Sequence, residues 1–376
     1  MRLALSEIRR ARGRFSSIVA ALALIVFLVL VLNALADGLY FGSTGALRSA
    51  GADVYVFSGD GRLSLVRSAL PEAAREEVAA VEGVGDVGAV GTLLATGAVE
   101  GADAELDLAL FGYEPGLPGG PAQALEGRMP EPGEDGVAAV DVELAEDGVG
   151  LGDTLTFSGS ATPIEVIGFV GDASYQLQPT VWTTLDTWRA VVAEARPETQ
   201  GAEPGVVAFA AAVVEGADPA AVAGEVATRV DGTETATREQ AVLAIPGVAQ
   251  QQSTFRSIII TTFAVAGLVV ALFFALLTLE KRSLLAMLKA LGASTGYLGG
   301  GILAQAALAT LAGLVFGGLL AFGLSLILPP DLPALFRPQT AAVLVVATLL
   351  TGVTGAALSF RRVTRIDPAA ALGGTL

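Results

Sequence analysis

Four long runs without a charged side chain constrain this chain more than any other feature of its sequence. Residues 15–36, 258–279, 302–328 and 339–360 contain no Asp, Glu, Lys or Arg. A bilayer core about 30 Å thick takes roughly 20 apolar residues in a helix. Backbone in lipid must satisfy its own hydrogen bonds, so all four read as transmembrane helices. The third run sits inside a charge-free stretch that begins at Ala290, and its glycine-rich lead-in reads as a loop. Composition agrees: the 376 residues are 53% hydrophobic and 16% charged, against about 25% charged in a soluble domain.

Basic residues orient the helices. Arg2, Arg9, Arg10, Arg12 and Arg14, then Lys281, Arg282 and Lys289, then Arg361, Arg362 and Arg365 make up half of the 22 basic residues. Only Glu7, Glu280 and Asp367, out of 38 acids, share those segments. The positive-inside rule therefore puts both termini and the loop between the second and third spans in the cytoplasm. Residues 37–257 lie outside and carry most of the acids behind the net charge of −16. Such a surface repels nucleic acid and anionic membranes.

The first span has a competing reading as a signal peptide, since Ala34-Leu35-Ala36 fits a small-x-small cleavage pattern. Its apolar core is too long for that, and the segment before it is itself patterned. Ala4, Ile8, Ala11 and Phe15 share one helical face and Arg2, Arg9, Arg10 and Arg14 the other. Residues 1–14 are expected to lie as an amphipathic helix on the inner leaflet, leading into an uncleaved span.

Within the outer segment, residues 53–58, 90–99 and 105–112 alternate as strands, and 71–81 reads as a helix with Glu72, Arg75, Glu76 and Glu77 facing water. A Gly/Pro break at 115–121 precedes short strands at 137–142, 154–157, 164–170 and 180–183, which suggests a small β subdomain over about 122–190. Residues 206–214 return to a strand and 219–229 to a helix, and 239–257 lead into the second span. The fold class is thus an α-helical membrane protein with four spans, N-in and C-in. A large extracytoplasmic α+β domain is inserted between helices 1 and 2.

Cysteine and histidine are absent, which removes disulfides, thiol nucleophiles, histidine bases and most zinc sites. The two lysines, Lys281 and Lys289, stand in no Gly-x-x-x-x-Gly-Lys-[Ser/Thr] loop, so no phosphate-cradling P-loop is encoded. The spans hold no ionisable group of the kind an ion-driven pump needs at mid-membrane. Gly313, Gly317 and Gly318 with Ala321 would let helices pack closely.

The cytoplasmic loop over residues 280–296 is the most informative short stretch. Leu284, Met287, Leu288 and Leu291 fall at i, i+3, i+4 and i+7, charges precede them, and Gly292 can cap the end. Such a helix either merely links two spans or docks its apolar stripe into a groove on a soluble partner.

The stretch 280–293 resembles the charged-charged-Arg…Leu-Lys-Ala-Leu-Gly-Ala signature of the MacB/FtsX-like permease family. The tail Arg365-Ile366-Asp367-Pro368-Ala369-Ala370-Ala371-Leu372 is similar to its Arg-[Leu/Ile]-Asp-Pro-x-x-Ala-Leu ending. Glu126-Gly127-Arg128, Leu144-Ala145 and Gly152-Asp153-Thr154-Leu155 resemble its outer-domain pattern. Order and topology agree along the whole chain. Ser283 and Leu284 depart from the usual Arg/Lys-Glu-Ile, which puts salt-bridge details at the ATPase contact in doubt.

The resemblance implies a permease subunit without its own nucleotide site, coupled to a separate ATPase that binds ATP and Mg. Residues Glu280, Lys281, Arg282, Leu284, Met287, Leu288, Lys289, Leu291, Gly292, Arg365 and Asp367 would form the coupling surface. Two permease copies would pair as a homodimer in lipid with two ATPase subunits and bind no cofactor of their own. Segments 37–49 and 239–257 would act as stalks carrying ATPase motion outward, a mechanism called mechanotransmission. The chain looks most like hemin-exporter and DevC-type members, which implies export of a lipophilic compound from the outer leaflet of the cell membrane. Haem would need an axial ligand other than His or Cys. Asp37 or Tyr40 at the outer end of the first span is the candidate for substrate contact. A non-transporting activator of an extracytoplasmic hydrolase, or a sensor subunit for an antibiotic, is the alternative.

Overall fold

The structure, a computed structural model, describes residues 12–102, 104–196, 205–280, 282–329 and 332–364. The expected helix over 1–14 lies outside them except for its last three residues. The chain forms two compact units, residues 1–38 with 252–376, and residues 39–251.

The first helix, α1 (Arg12–Ser49), runs unbroken for 38 residues through the first span and the whole of the expected stalk. In the 39–251 unit the order is β1 (Val54–Ser58), α2 (Ala74–Ala79), β2 (Val84–Val99), β3 (Glu105–Tyr113), β4 (Glu126–Gly127), β5 (Val137–Asp141), α3 (Glu143–Glu146), β6 (Thr154–Phe157), β7 (Ile164–Val170) and β8 (Thr180–Thr184). There follow α4 (Leu185–Ala195), β9 (Ala208–Val213), α5 (Pro219–Arg229), β10 (Thr233–Thr237) and α6 (Arg238–Ala244).

One ten-stranded sheet runs β10-β1-β9-β2-β3-β8-β5-β7-β4, and β6 pairs with both β2 and β7. That last pairing changes the architecture. Following β2 to β3, β8, β5, β7, β6 and back to β2 traces a closed ring of six strands. The small β subdomain expected over 122–190 is therefore not separate. Its strands close a ring only with the help of β2 and β3, which come from before the Gly/Pro break. The 16-residue β2 makes this possible: Val84–Val90 pairs with β9, Val90–Ala98 with β3, and Gly97–Val99 with β6. The register shift between Val84 and Val87 bends its first part.

The core follows from this pairing. Trp182 on β8 stacks on Phe111 of β3 at 4.6 Å between ring centroids, and Tyr175 and Tyr113 meet those rings edge-on. The Trp182 indole N–H donates to Thr180 Oγ1 at 2.8 Å, so the largest buried side chain leaves no orphan donor. Burial pushes the Tyr113 phenol up to about 12. The motif residues of the outer domain have structural work. Arg128 grips Glu134 with both nitrogens, at 2.6 and 2.5 Å, and Asp153 accepts the Gly150 N–H at 2.7 Å to close the turn before β6.

The other unit contains α1 up to Gly38 and three further long helices, α7 (Val248–Glu280) from Gln252 onward, α9 (Thr295–Ser325) and α10 (Pro338–Thr364), with the short α8 (Arg282–Ala290) after α7. All four long helices are long and apolar enough to cross a membrane. They share one core of Phe15, Ile18 and Leu22 from α1, Val270, Phe274 and Leu277 from α7, Ala306 and Ala309 from α9, and Ala356 from α10. Their outward faces are apolar too: Leu28, Leu268, Leu272, Phe316, Leu319 and Val346 are exposed. A helix apolar all round suits lipid rather than water. Thr262, Thr278, Thr348 and Thr351 return their hydroxyls to carbonyls one turn back at 2.7–2.8 Å, as a lipid environment requires.

Three expectations need correction. The lead-in to the third span is helical from Thr295, because Ser294 caps it by accepting the Tyr297 N–H at 3.2 Å; burial on one side outweighs the low propensity of Gly296 and Gly299–Gly301. The helix over 280–296 is Arg282–Ala290 and stops at a left-handed glycine. The second stalk, 239–257, is not one rod. Pro246 cannot extend α6, and Gly247 at φ 86° turns the chain before α7 begins at Val248. Of the packing glycines, Gly313 and Gly317 press on α1, whereas Gly318 faces open space.

Candidate functional site

The loop between the second and third long helices is built from its residues in a simple way. After Glu280 ends α7, nine residues form α8, and its exit is closed by backbone bonds. Ala293 N–H donates to Leu288 O at 3.0 Å, Gly292 N–H to Lys289 O at 3.1 Å, and Gly292 sits at φ 91°. This is the helix stop that only glycine makes without strain. The stripe read from spacing is open: Leu284 is 44%, Met287 51% and Leu291 77% exposed. Leu288 and Lys289 are half-buried and Glu280 is exposed. Lys281, Arg365 and Asp367 lie outside the described residues, and of Arg282 only the backbone is described. A short helix with an exposed apolar stripe and a fixed exit can present a rigid ridge to a groove.

The two candidate substrate residues have different surroundings. Asp37 accepts a hydrogen bond from Asn33 Nδ2 at 3.2 Å, one turn earlier on α1. Asn33 lines a small pocket of about 110 Å³ with Leu30, Ala34 and Leu335 to Pro338, and Leu335 N–H donates to Ala34 O at 2.9 Å. Tyr40 is half-buried, packs against the core of the 39–251 unit and meets Phe41 edge-on at 5.3 Å. Met129, the methionine of the outer domain, is packed against that same core. Among the described residues, no group of three or more acidic side chains is placed to hold a metal ion.

Two features were missed by reading the sequence. An open apolar groove of about 690 Å³ lies between α1 and α9, lined by Val19, Ala23, Leu24, Leu308, Ala312 and Phe316 among others; its two walls come from opposite ends of the sequence, which no local pattern reports. The second is an ion pair between Arg48 and Asp172, beside buried Asp141, whose carboxyl burial pushes above the usual range although Ser174 Oγ donates to it at 2.8 Å.

Known proteins resemble the chain along its length. Residues 17–229 match the MacB-like periplasmic core domain, and residues 256–368 match the FtsX-like permease C-terminal domain. A putative hemin transport system permease protein HrtB of Staphylococcus epidermidis is 28% identical over 145 residues, 39% of this chain and 41% of that protein. The chain thus spans less than half of that relative in the alignment. The protein of the same description from Staphylococcus haemolyticus is 21% identical over 374 residues, 100% of this chain and 99% of that one. An uncharacterized ABC transporter permease of Mycobacterium tuberculosis is 26% identical over 381 residues, 99% of each. The crystal structure of the periplasmic region of MacB from Actinobacillus actinomycetemcomitans is 13% identical, covers 51% of this chain and 92% of that one, and has a TM-score of 0.37. With the periplasmic core match covering more than half of the chain, it belongs to the MacB/FtsX-like family of ABC transporter permeases, as a multi-pass membrane protein with a large extracytoplasmic domain.

Proposed function

We propose that the chain is one of two identical permease subunits of an exporter driven by mechanotransmission, with two copies of a separate ATPase docked on α8. ATP and Mg bind the ATPase alone. ATP binding draws the ATPases together, α8 moves with them, and α1 carries the displacement to the outer domain. The cargo is a lipophilic compound, haem among the candidates, or a peptide, taken from the outer leaflet and moved outward.

The observation that supports this reading most is the exposed stripe of Leu284, Met287 and Leu291 on a helix whose exit is fixed by Gly292. Apolar side chains held in the open at an ordered turn are what a soluble partner's groove takes up. The absence of ionisable residues from all four apolar cores supports energy entering from ATP rather than from an ion gradient. Two relatives are named as putative hemin permeases, which brings haem among the candidates, with Asp37 or Tyr40 in place of the missing His and Cys.

The complex of this chain with its ATPase, reconstituted in lipid discs, provides the test. Stimulation of ATP hydrolysis by a lipophilic ligand is the expected result. Co-purification of a hydrolase together with indifference to every ligand would instead support the activator reading.

A further inference from the structure

The outer end of α1 does not simply stop; it is keyed into the outer domain. Tyr55 Oη, fully buried on β1, donates to Leu47 O at 2.9 Å. On the other side lies the loop between β7 and β8. Leu177 N–H donates to Gly42 O at 2.9 Å, Gln176 N–H to Ser43 O at 3.2 Å, and Ala46 N–H to Ser174 O at 3.1 Å. A helix turn thus pairs with a loop as a strand would, and Thr44 bridges Tyr175. Gly45 permits the approach, since a Cβ there would stand 2.7 Å from Asp172 O.

Arg48 locks the joint. Its guanidinium takes both Asp172 oxygens, one at 2.6 Å, while Nε donates to Thr44 Oγ1 at 2.9 Å and the plane lies 4.3 Å over the Phe41 ring. A planar fork satisfied in this way holds orientation as well as position, which a lysine does not. The loop accepts a cost to present these groups: Asp172, Gln176 and Leu177 all have positive φ, at 52°, 52° and 65°. Left-handed backbone at non-glycine residues persists only where neighbours over-determine it. Ser174 completes the path, donating to Asp141 at the end of β5. From α1, the route reaches β7, β8 and β5, three strands of the closed ring. At the other connection Pro246 and Gly247 interrupt the helix between α6 and α7, with Ile245 and Val248 on either side packed into the core of the outer domain.

We infer that Arg48 is the positioning residue through which α1 drives the closed ring: displacement of α1 reaches the ring by the Arg48–Asp172 lock. This rests on the function proposed above and assigns the moving part within it.

The test uses the complex with its ATPase in lipid discs and follows hydrogen exchange in peptides from residues 137–184, with and without ATP trapped by vanadate. The wild type is expected to change exchange in that region on trapping. Arg48→Gln should hydrolyse ATP at the wild-type rate to within about twofold yet lose at least four-fifths of the exchange change. Arg48→Lys should recover only part of it, and the exchanged pair Arg48→Asp with Asp172→Arg most of it, a rescue that a merely structural role would not give. If Arg48→Gln lowers folded yield, Asp172→Asn poses the same question from the side that is 54% exposed. An undiminished response in these variants overturns the inference and leaves the proposed function standing. No response to ATP in the wild type overturns the proposed function, and the inference with it.

Discussion

Two neighbouring glycines of α9 give the sharpest test of helix packing in the membrane unit. A Cβ at Gly317 would lie 2.6 Å from Ala23 O and 2.7 Å from Val26 Cβ, whereas one at Gly318 would meet nothing within 4 Å. Both sit in the interior of the same helix, so replacing either by alanine gains a similar propensity term, about 1 kcal/mol. Only Gly317→Ala must also push α1 away or distort it, and overpacking of this kind costs about 1–3 kcal/mol. The difference between the two variants is therefore about 1–3 kcal/mol, which is about 5-fold to 150-fold in the folded fraction. Gly313→Ala should resemble Gly317→Ala, because its added Cβ would stand 2.7 Å from Leu22 Cβ. The assay is denaturant-induced unfolding of the full chain in mixed micelles, read by circular dichroism. Equal stability of the Gly317→Ala and Gly318→Ala variants would refute the packing of α9 on α1.

Two further outcomes are expected. Hydrogen bonds from Arg128 hold the Glu134 carboxyl down to about 2, against 4.5 unperturbed; the lowered value means the pair stabilises the fold above about pH 4.5 and ceases to do so as pH falls through 2. Arg128→Gln should thus lower stability slightly at pH 7 and have no effect near pH 2, and an effect of the same size at both would contradict the pairing. Thr237 and Gln240 form a reciprocal capping box at the start of α6, so Thr237→Ala should cost about 1 kcal/mol and speed amide exchange in residues 238–244, while unchanged exchange would count against the cap.

Much of this architecture is legible in the sequence because it is written locally. Hydropathy alone locates the spans, and the spacing of Leu284, Met287, Leu288 and Leu291 with Gly292 after them reports α8 and its stop. Strands β5 to β8 alternate or are bounded by glycine and are found within a residue of their ends. What is missed is not local. The start of β2 is hidden because Gly85, Gly88 and Gly91 interrupt its alternation, and β10 (Thr-Glu-Thr-Ala-Thr) is polar enough to pass for a loop, yet both are held by pairing with β9 and β1. Closure of the ring depends on Gly97–Val99 meeting Leu155–Phe157, a contact that no pattern within either segment announces. The same holds for the joint at α1: Arg48 and Asp172 are 124 residues apart, and each alone reads as a surface charge. Asp37 and Tyr40 stand out in the sequence only by their position after the first span, and their surroundings are a neighbouring amide and a packed aromatic core rather than converging polar groups.

Transmission of ATPase motion to the outer domain depends above all on α8 as the point where a separate ATPase attaches. Affinity purification of the tagged permease with the ATPase co-expressed, comparing wild type with Met287→Asp, tests this most directly. Burying a methionine contributes about 1.5–3 kcal/mol, and a carboxylate in its place adds the cost of an unpaired buried charge. The wild type should retain the ATPase through purification, and the variant should bind it at least about tenfold more weakly while remaining folded in the membrane. Equal retention of the ATPase by both proteins would contradict the central claim.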